Sequence, residues 1–526
     1  MNVMKLKSID LYSGIGGWTL GLHLAGIENY KSYEWNNDSV ITSNKNFGKN
    51  EEVIDVRNLT QKDFLSMKKA GVNVVVGSPP CTQFSYANRG GSGDIDDGLV
   101  DLKKFFECID AIKPKFWVME NVPRVANVIK KETLQGGQLE SFQSLIEEDF
   151  IKIIDMSEFG LPQKRKRCIV SNINFDTLFS YKEFLNEKTL GEVTESLRKK
   201  EISDINFNIS LNKIEVYDNI YEDNLTSEEV FINRDRKQNH TVYNNMSFPE
   251  NLDKPARTIT STCTKVSRES LIIQKGKNYR RLTLREKACL QGFPINFNFF
   301  SNSYSGKLKM IGNALPPVFS YYLANTMLDR KGKDLVPINE KGFSPEINEQ
   351  PPKTVTETSR NKYSSNRSFE FAITELRFKS GLRFQLSNRR NSKYEFQFFF
   401  GTPKDIKEIP IDEALISKIE RFIKLSNLKK PLKNLKKMKI ESSKLQKVWI
   451  NERDGFGPLE LLDVVNTASK KFSSHVSQEE RNNLNLTNEI SSTIEEIFGD
   501  QIDSRIRKFQ KEILVGFLVT SSININ

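Results

Sequence analysis

The sequence predicts an α/β fold, built on a parallel sheet with helices on both faces. Short apolar runs are typical of buried strands, and each is followed by a turn and a helix-like stretch. In such sheets ligands bind at the carboxyl ends of the strands, so the side chains that follow a strand are the candidates for function. The three runs span 6–12, 72–77 and 115–120.

The chain is longer than one domain. Its 526 residues exceed the roughly 250–300 at which a single hydrophobic core stops growing, so we expect two or three folded units. A stretch rich in Asn, Asp, Glu and Lys loses the strand–helix alternation and predicts an inserted, separately folded recognition segment. A later Lys-, Pro- and Ser-rich stretch predicts a linker. The predicted boundaries are 1–178 and 253–330 for two parts of one domain, 179–252 for the inserted segment, 331–367 for the linker and 368–526 for a C-terminal α+β domain.

The charge of the chain favours a polyanionic partner. The net charge is +11, and residues 351–450 hold 23 Lys and Arg against 10 Asp and Glu. The basic excess therefore lies outside the strand-and-helix region. It could contact phosphates, which gives sequence-independent affinity, but a Lys-rich helix is equally often a solvated face.

Neither a membrane span nor a disulfide framework is expected. No segment approaches the roughly 20 apolar residues that cross a bilayer, and the first residues run directly into a motif at Asp10, which leaves no room for a signal peptide. The five cysteines are odd in number and scattered, without the paired spacing of a zinc site. We therefore expect a cytoplasmic protein without a structural metal.

A glycine-rich turn follows the first predicted strand. The segment Asp10-Leu-Tyr-Ser-Gly-Ile-Gly-Gly17 places three glycines where a helix begins, so a cofactor could approach the backbone closely. A plain tight turn explains such glycines about as often. Glu34 and Asp55 follow at expected strand ends, where Glu34 could bind a ribose diol and Asp55 could accept from an adenine amino group.

Cys81 follows two prolines at the end of the second run, in Gly77-Ser-Pro-Pro-Cys-Thr-Gln-Phe-Ser85. A lone cysteine is usually buried and inert. Here the next residues, 82–98, are polar and glycine-rich, as in a loop that covers a site. A thiolate at that position would be a nucleophile.

Two further segments place charged groups near the same predicted edge. Glu120-Asn-Val-Pro123 closes the third run, and Gln163-Lys-Arg-Lys-Arg167 contains two arginines at spacing two, which face the same way in an extended segment. Short basic runs match by chance, so a solvated basic patch is the ordinary alternative.

Together these segments resemble the cytosine-C5 DNA methyltransferase family, in family order from Asp10 to about Leu328. The glycine loop is similar to the cofactor motif, Pro80-Cys81 to the nucleophile motif, Glu120-Asn-Val122 to the base-binding motif and Gln163-x-Arg165-x-Arg167 to the third active-site motif. Later segments that match are Arg281-Leu-Thr-Leu-Arg-Glu286, Leu290-Gln-Gly-Phe-Pro294 and Gly312-Asn-Ala-Leu-Pro316.

The resemblance implies a Rossmann-like domain that transfers a methyl group from S-adenosylmethionine to C5 of a flipped cytosine in double-stranded DNA. It assigns catalysis to Cys81 as nucleophile, to Glu120 at N3 and the exocyclic amine, and to Arg165 and Arg167 near O2 and the catalytic loop. It also implies substrate contacts by Thr82, Gln83, Asn121 and Gln163. The implied cofactor contacts are Tyr12, Gly14, Ile15, Gly17, Glu34, Trp35, Asp55, Val56, Pro80, Leu102 and Asn313.

The chain departs from the family pattern beside the nucleophile. Family members usually have Gln there, whereas this chain has Thr82 and then Gln83, which puts the filling of the emptied duplex position in doubt; Val56 also replaces the more common Ile. An RNA-directed branch of the family has a Cys-Phe-Thr signature, and the nearest segment here, 262–264, lacks Phe. A DNA-binding regulator that has lost catalysis is the other alternative, and the four intact catalytic residues argue against it.

The resemblance further implies a monomeric prokaryotic or phage protein of a restriction–modification or epigenetic marking system, with a cognate endonuclease that acts on the same site. The role of residues 368–526 stays open among accessory DNA binding, a fused nuclease and partner docking. No carboxylate cluster with a suitably spaced lysine indicates a nuclease, since Asp454, Glu460 and Asp463 lack one.

Overall fold

A computed structural model of the chain describes residues 5–84, 93–221, 223–238, 246–347, 349–355, 370–373, 383–387, 395–402 and 405–409. The chain divides into two compact units. The first comprises Met1–Asn224, Glu250–Thr264 and Leu271–Glu357, and the second comprises Leu225–Pro249, Lys265–Ser270 and Thr358–Asn526.

A six-stranded sheet forms the centre of the first unit. In chain order its strands are β1 (Lys7–Leu11), β2 (Glu28–Tyr33), β3 (Val74–Gly77), β4 (Phe116–Asn121), β5 (Ile151–Asp155) and β6 (Lys166–Ser171). They lie in the order β2-β1-β3-β4-β6-β5, and β1 to β4 are parallel neighbours. β6 runs antiparallel to both β4 and β5. The purely parallel sheet that the sequence predicts is therefore wrong at this strand.

The short connection between β5 and β6 explains the reversal. It spans 156–165 and contains a 3-10 helix, Met156–Phe159, which is too short for the crossover that parallel neighbours need. As a consequence β6 begins, rather than ends, beside the carboxyl end of β4. Asn121, the last residue of β4, lies opposite Cys168 near the start of β6.

Helices cover both faces of the sheet, which confirms the predicted α/β class. The helices are α1 (Gly17–Ala25), α2 (Asn37–Phe47), α3 (Gln61–Lys69), α4 (Ile95–Ile112), α5 (Val125–Glu132), α6 (Phe175–Ser180), α7 (Leu190–Ser196), α8 (Ser227–Gln238), α9 (Leu284–Leu290), α10 (Tyr304–Asn313) and α11 (Pro317–Met327). The alternating side chains of β3 show how both faces are covered. Val75 joins a core with α3, α4 and α5, while Val74 and Val76 join a core with α1, α6 and α11.

The division of the chain differs from the predicted inserted segment 179–252. Its first part belongs to the first unit, because Leu190 and Val193 of α7 pack in one core with residues that follow 270. Only Leu225–Pro249 belongs to the second unit. Short antiparallel pairs complete the first unit, namely β7 (Glu201–Ser203) with β8 (Ser210–Asn212) and β9 (Ile272–Lys275) with β10 (Asn278–Arg281).

The predicted linker also differs from the structure. Ile338 and Phe343 are buried, Glu346 donates its backbone N–H to Asn46 O at 3.0 Å, and the Thr354 hydroxyl donates to Asp218 Oδ1 at 2.6 Å. Isolated apolar residues in a polar stretch thus fix residues 331–355 to the first unit. The remainder of the predicted linker, 356–367, lies outside the described residues.

In the second unit α8 packs against an antiparallel sheet of four strands. The strands are β11 (Glu370–Ala372), β12 (Arg383–Ser387), β13 (Glu395–Thr402) and β14 (Asp405–Ile409), in that order. The basic residues beyond 409, and Asp454, Glu460 and Asp463, lie outside the described residues. Within the part of the chain that the structure describes, no helix is both long and apolar enough to span a membrane.

Candidate active site

The segment before Cys81 is held from three sides at the carboxyl end of β3. The Ser78 N–H donates to Leu11 O at 3.2 Å, the Trp18 indole N–H donates to Ser78 Oγ at 3.0 Å, and the Asn121 amide donates to Pro79 O at 3.0 Å. Neighbouring elements therefore fix the prolines before the cysteine. Cys81 itself is half-buried at this edge.

Glu120 and Arg167 form an ion pair at the same edge. Arg167 Nε lies 2.9 Å from Glu120 Oε1, and the side chains are 13% and 8% exposed. The antiparallel direction of β6 brings this arginine to the end of β4. Two residues separated along the chain thus present one carboxylate and one guanidinium in a largely dry site.

Burial raises the pKa of the Cys81 thiol, and the charge of Glu120 raises it further, while Arg167 and Arg165 oppose both. The free site therefore holds this cysteine mainly as the neutral thiol at pH 7. A nucleophile in this position gains from any positive charge nearby, since only the thiolate reacts.

We expect the alkylation rate of Cys81 to keep rising with pH beyond the range of an ordinary cysteine, because a raised pKa delays thiolate formation. Arg167→Ala should move this profile to still higher pH, because it removes a charge that favours the thiolate. Iodoacetamide labelling followed by mass spectrometry of the Cys81 peptide measures it. Lys166→Ala, which removes the exposed basic neighbour, is the control, and an equal shift in both variants would contradict the assignment.

Arg165 lies in the interior and donates to backbone oxygens of the segments around Ile259 and Gly312. It is 2% exposed and donates to Gly312 O at 3.0 Å and to Ile259 O at 3.3 Å. Its Nε has no hydrogen-bond partner among the described residues. Arg165 thus has structural contacts with one N–H still unused, and its implied contact with O2 or the loop stays a prediction.

Two residues that the resemblance assigns to substrate contacts are buried in the interior and bond to the protein. Gln163 is fully buried, donates to Gln291 Oε1 at 2.7 Å and accepts from the Ile259 N–H at 2.9 Å. Asn121 is 1% exposed, and besides donating to Pro79 it accepts from the Val122 N–H at 2.8 Å. Both side chains have protein partners that hold them in place, and the substrate contacts of Asn121 and Gln163 stay predictions.

Thr82 and Gln83, beside the nucleophile, differ in their surroundings. Thr82 is exposed. Gln83 accepts from the Asp94 N–H at 3.0 Å and donates to Asp97 Oδ2 at 3.0 Å. Since the Gln83 amide is bonded to the start of α4, it could enter a duplex only if these bonds broke. Of the predicted loop over the site, residues 82–98, the part 85–92 lies outside the described residues.

The glycine-rich turn is open at its first glycine. Gly14 has φ 55°, a Cβ placed there would meet no heavy atom within 4 Å, and its N–H donates to Glu34 Oε2 at 2.8 Å. Glu34 also accepts from the Asn36 N–H at 2.7 Å. The turn and the end of β2 are thus bonded together around an open space, as a cofactor pocket requires.

Position 17 needs a glycine for a different reason than the sequence indicates. A Cβ at Gly17 would lie 2.1 Å from the backbone oxygen of Leu315, so the close approach is made by the chain's own returning segment. The Ser320 hydroxyl also donates to Gly17 O at 2.7 Å. Gly17 therefore makes a packing contact that closes the turn, and the predicted cofactor contact at Gly17 stays a prediction.

Gly17→Ala should lower the free energy of unfolding by about 1–3 kcal/mol, the usual cost of overpacking a backbone contact. Gly342→Ala is the matched control, because its Cβ would meet only Asn208 O at 3.7 Å. Urea unfolding of both variants measures the difference. Equal stability would mean that the Leu315 contact relaxes freely.

The remaining implied cofactor residues divide by exposure. Trp35 is 58% exposed, Asp55 and Asn313 are exposed, and Pro80 is half-buried, so these four can meet a ligand. Ile15, Val56 and Leu102 are buried in the hydrophobic cores, so their side chains pack against the protein, and their cofactor contacts stay predictions. Tyr12 is 9% exposed, and its hydroxyl donates to Asp101 Oδ1 at 3.2 Å.

Sequence reasoning missed the residues that hold these groups in place. Arg57, Asp97 and Asp101 form an ion-pair cluster between the residues after Asp55 and the helix α4. The acidic start of α4, Asp94-Ile-Asp-Asp97, was the available signal, because acidic residues favour a helix N-terminus. It predicts a helix start but not its partners.

The chain is similar to known proteins over about its first 330 residues. The sequence profile of C-5 cytosine-specific DNA methylases matches residues 6–329. Type II methyltransferase M1.HphI of Haemophilus parahaemolyticus is 28% identical over 62% of this chain and 87% of its own length. M1.ScrFI of Lactococcus lactis subsp. cremoris is 29% identical over 62% and 78%. The solved Dnmt2 methyltransferase of S. pombe aligns over 62% of this chain and 98% of its own, with 18% identity and a TM-score of 0.42.

Proposed function

The chain belongs to the C-5 cytosine-specific DNA methylase family, and from this premise we propose that it methylates C5 of cytosine in a specific duplex DNA sequence within a restriction–modification system. By class it is a DNA (cytosine-5-)-methyltransferase. Bacterial relatives named Type II methyltransferases support the restriction–modification context. The observation that carries the proposal is the half-buried Cys81 at the edge where Glu120 and Arg167 pair at 2.9 Å.

The pocket around the glycine turn fits S-adenosylmethionine. Gly14 leaves space beside its backbone, Trp35 offers an exposed aromatic ring, and Asp55 an exposed carboxylate for an adenine amino group. Glu34 would bind the ribose at the price of its present backbone bonds, and Asn313 would complete the pocket from α10. When bound, the cofactor supplies the electrophilic methyl carbon of its sulfonium group.

The protein's own groups make C5 reactive. C5 of cytosine is a poor nucleophile. Cys81 gives its thiol proton to water and bonds as the thiolate to C6, which moves the ring electrons toward C5 and prepares C5 for the methyl group that the bound cofactor would supply. The C5 proton then passes to water and the thiolate leaves C6, which restores the aromatic ring. Glu120 hydrogen-bonds to protonated N3 and the exocyclic amine, where charge would otherwise accumulate. Arg167 orients that carboxylate.

A base inside a duplex cannot reach Cys81, so the cytosine must leave the stack, at a cost of about a few kcal/mol. Thr82, exposed beside the nucleophile, is the residue we place nearest the vacated position. Double-stranded DNA is the partner, and an endonuclease that cuts the same sequence would be the cognate enzyme. We place target recognition in the segment 179–252, of which Leu225–Pro249 belongs to the second unit.

Incubation of the full chain with tritiated cofactor and either duplex DNA or tRNA tests the proposal directly. Label in DNA cytosine supports it, label in tRNA alone would assign the chain to the RNA-directed branch, and label in neither would indicate a non-catalytic DNA-binding protein. Bisulfite sequencing of DNA from cells that express the chain then identifies the methylated sequence.

A further inference from the structure

A guanidinium joins the cofactor side of the site to α4. Arg57, two residues after Asp55, donates from Nε to Asp101 Oδ1 at 2.9 Å and from Nη2 to Asp101 Oδ2 at 2.7 Å. Asp101 is 2% exposed. Bidentate pairs of this kind restrict geometry strongly, because both bonds require coplanar groups. Arg57 therefore fixes the turn after Asp55 relative to α4.

The same guanidinium reaches the nucleophile segment through one more carboxylate. Arg57 Nη1 donates to Asp97 Oδ1 at 2.9 Å, and Gln83 Nε2 donates to Asp97 Oδ2 at 3.0 Å. One carboxylate oxygen of Asp97 thus accepts from Arg57 and the other accepts from Gln83. Gln83 lies two residues after Cys81, and its amide oxygen also accepts from the Asp94 N–H.

Packing holds the same segment against α4. Phe84 is fully buried, and a Cβ at Gly98 would lie 2.5 Å from its ring, so the helix needs a glycine there to admit it. The Phe84 N–H donates to Cys81 O at 3.0 Å, which closes a tight turn. The position of Cys81 is consequently tied to the first turns of α4.

The other end of the network lies in the glycine turn. The Tyr12 hydroxyl donates to Asp101 Oδ1 at 3.2 Å, from a residue with left-handed backbone, φ 57°. We define the Arg57 network as the bonded series Tyr12, Asp101, Arg57, Asp97 and Gln83. It runs without a break from the proposed cofactor pocket to the nucleophile segment.

We propose that the Arg57 network couples the cofactor pocket to Cys81, with Arg57, Asp97 and Gln83 as positioning residues that align the nucleophile with the methyl donor. The inference rests on the proposed function. Because coupling between two sites is reciprocal, occupation of the cofactor pocket changes the reactivity of Cys81, and loss of the network removes that change. The network also gives Gln83 a use other than the duplex contact usual for this residue type in the family.

The test measures alkylation of Cys81 in the full chain, with and without S-adenosylhomocysteine. In the wild type the ligand is expected to change the rate by roughly 3- to 10-fold, the scale of one net hydrogen bond. In Gln83→Ala and in Asp97→Asn the ratio of the alkylation rates with and without the ligand should approach one. Glu107→Ala, which removes the Lys104–Glu107 ion pair on the same helix, is the matched control and should keep the wild-type ratio.

A double-mutant cycle separates coupling from general damage. If the network acts as one unit, Arg57→Lys and Gln83→Ala together should reduce kcat no more than the stronger single variant, whereas independent effects would multiply. An unchanged ligand effect in Gln83→Ala and Asp97→Asn, or multiplying losses, overturns the inference. The alkylation assay contains no DNA. It therefore measures the coupling between the cofactor pocket and Cys81 independently of whether the chain methylates DNA.

Discussion

Cys81→Ala is expected to lower methyl transfer to duplex DNA by on the order of 10⁴-fold or more, as removal of a nucleophile does when the remaining groups act only in concert with it. The thiol is half-buried at the carboxyl end of β3, and its segment is held by Trp18 and Asn121. Alanine leaves those bonds in place, so cofactor binding should stay measurable by calorimetry. Tritium incorporation into DNA measures the loss.

Cys263→Ala is the control for this change. Cys263 is also half-buried and free, but it lies outside the Cys81, Glu120 and Arg167 constellation. Turnover by this variant should stay close to that of the wild type. Undiminished turnover by Cys81→Ala would refute the nucleophile assignment.

Glu120→Gln is expected to lower kcat by on the order of 10²–10⁴-fold, the usual contribution of a positioned acid–base group. Its second effect has the opposite direction. The charge of Glu120 raises the pKa of Cys81, so its removal should lower that pKa and make the thiol more reactive toward iodoacetamide at fixed pH. A variant that alkylates faster yet methylates more slowly would separate the role of the carboxylate at the base from its effect on the thiol.

Glu148→Gln provides the comparison, because Glu148 forms an ion pair with Lys130 at 2.6 Å on the exposed surface. Exposed pairs contribute about 0–1 kcal/mol, so neither rate should change by much. If Glu120→Gln altered kcat and alkylation no more than this control, the carboxylate would have no catalytic part.

Much of the first unit was predictable because its strands have local signatures. β1, β3 and β4 are apolar runs that end in turns, and the functional side chains follow them directly. The direction of β6 was not predictable from such signatures, because it depends on the length of the connection after β5. The packing of 331–355 was also missed, since Ile338 and Phe343 find their partners far away in sequence.

Within the site, residue types were easier to predict than partners. The segments around Cys81, Glu120 and Arg167 were identified from spacing and resemblance, and the structure places Glu120 beside Arg167. The motifs assign Gln163, Arg165, Gly17 and Leu102 to ligands, and the structure adds protein contacts that the motifs do not show, with Gln291, Gly312, Leu315 and the core. A motif records which residues are needed, and tertiary contacts decide what each one touches.

The contact between Gly17 and the segment at Leu315 has a consequence for biosynthesis. The Ser320 hydroxyl that bonds to Gly17 O is 303 residues further along the chain. At a translation rate of roughly 5–20 residues per second, Ser320 would be synthesised about 15–60 s after Gly17. Until then the apolar face of α1 lacks α11, so the nascent chain should depend on chaperones over this interval, and fragments that end before α11 should aggregate rather than bind cofactor.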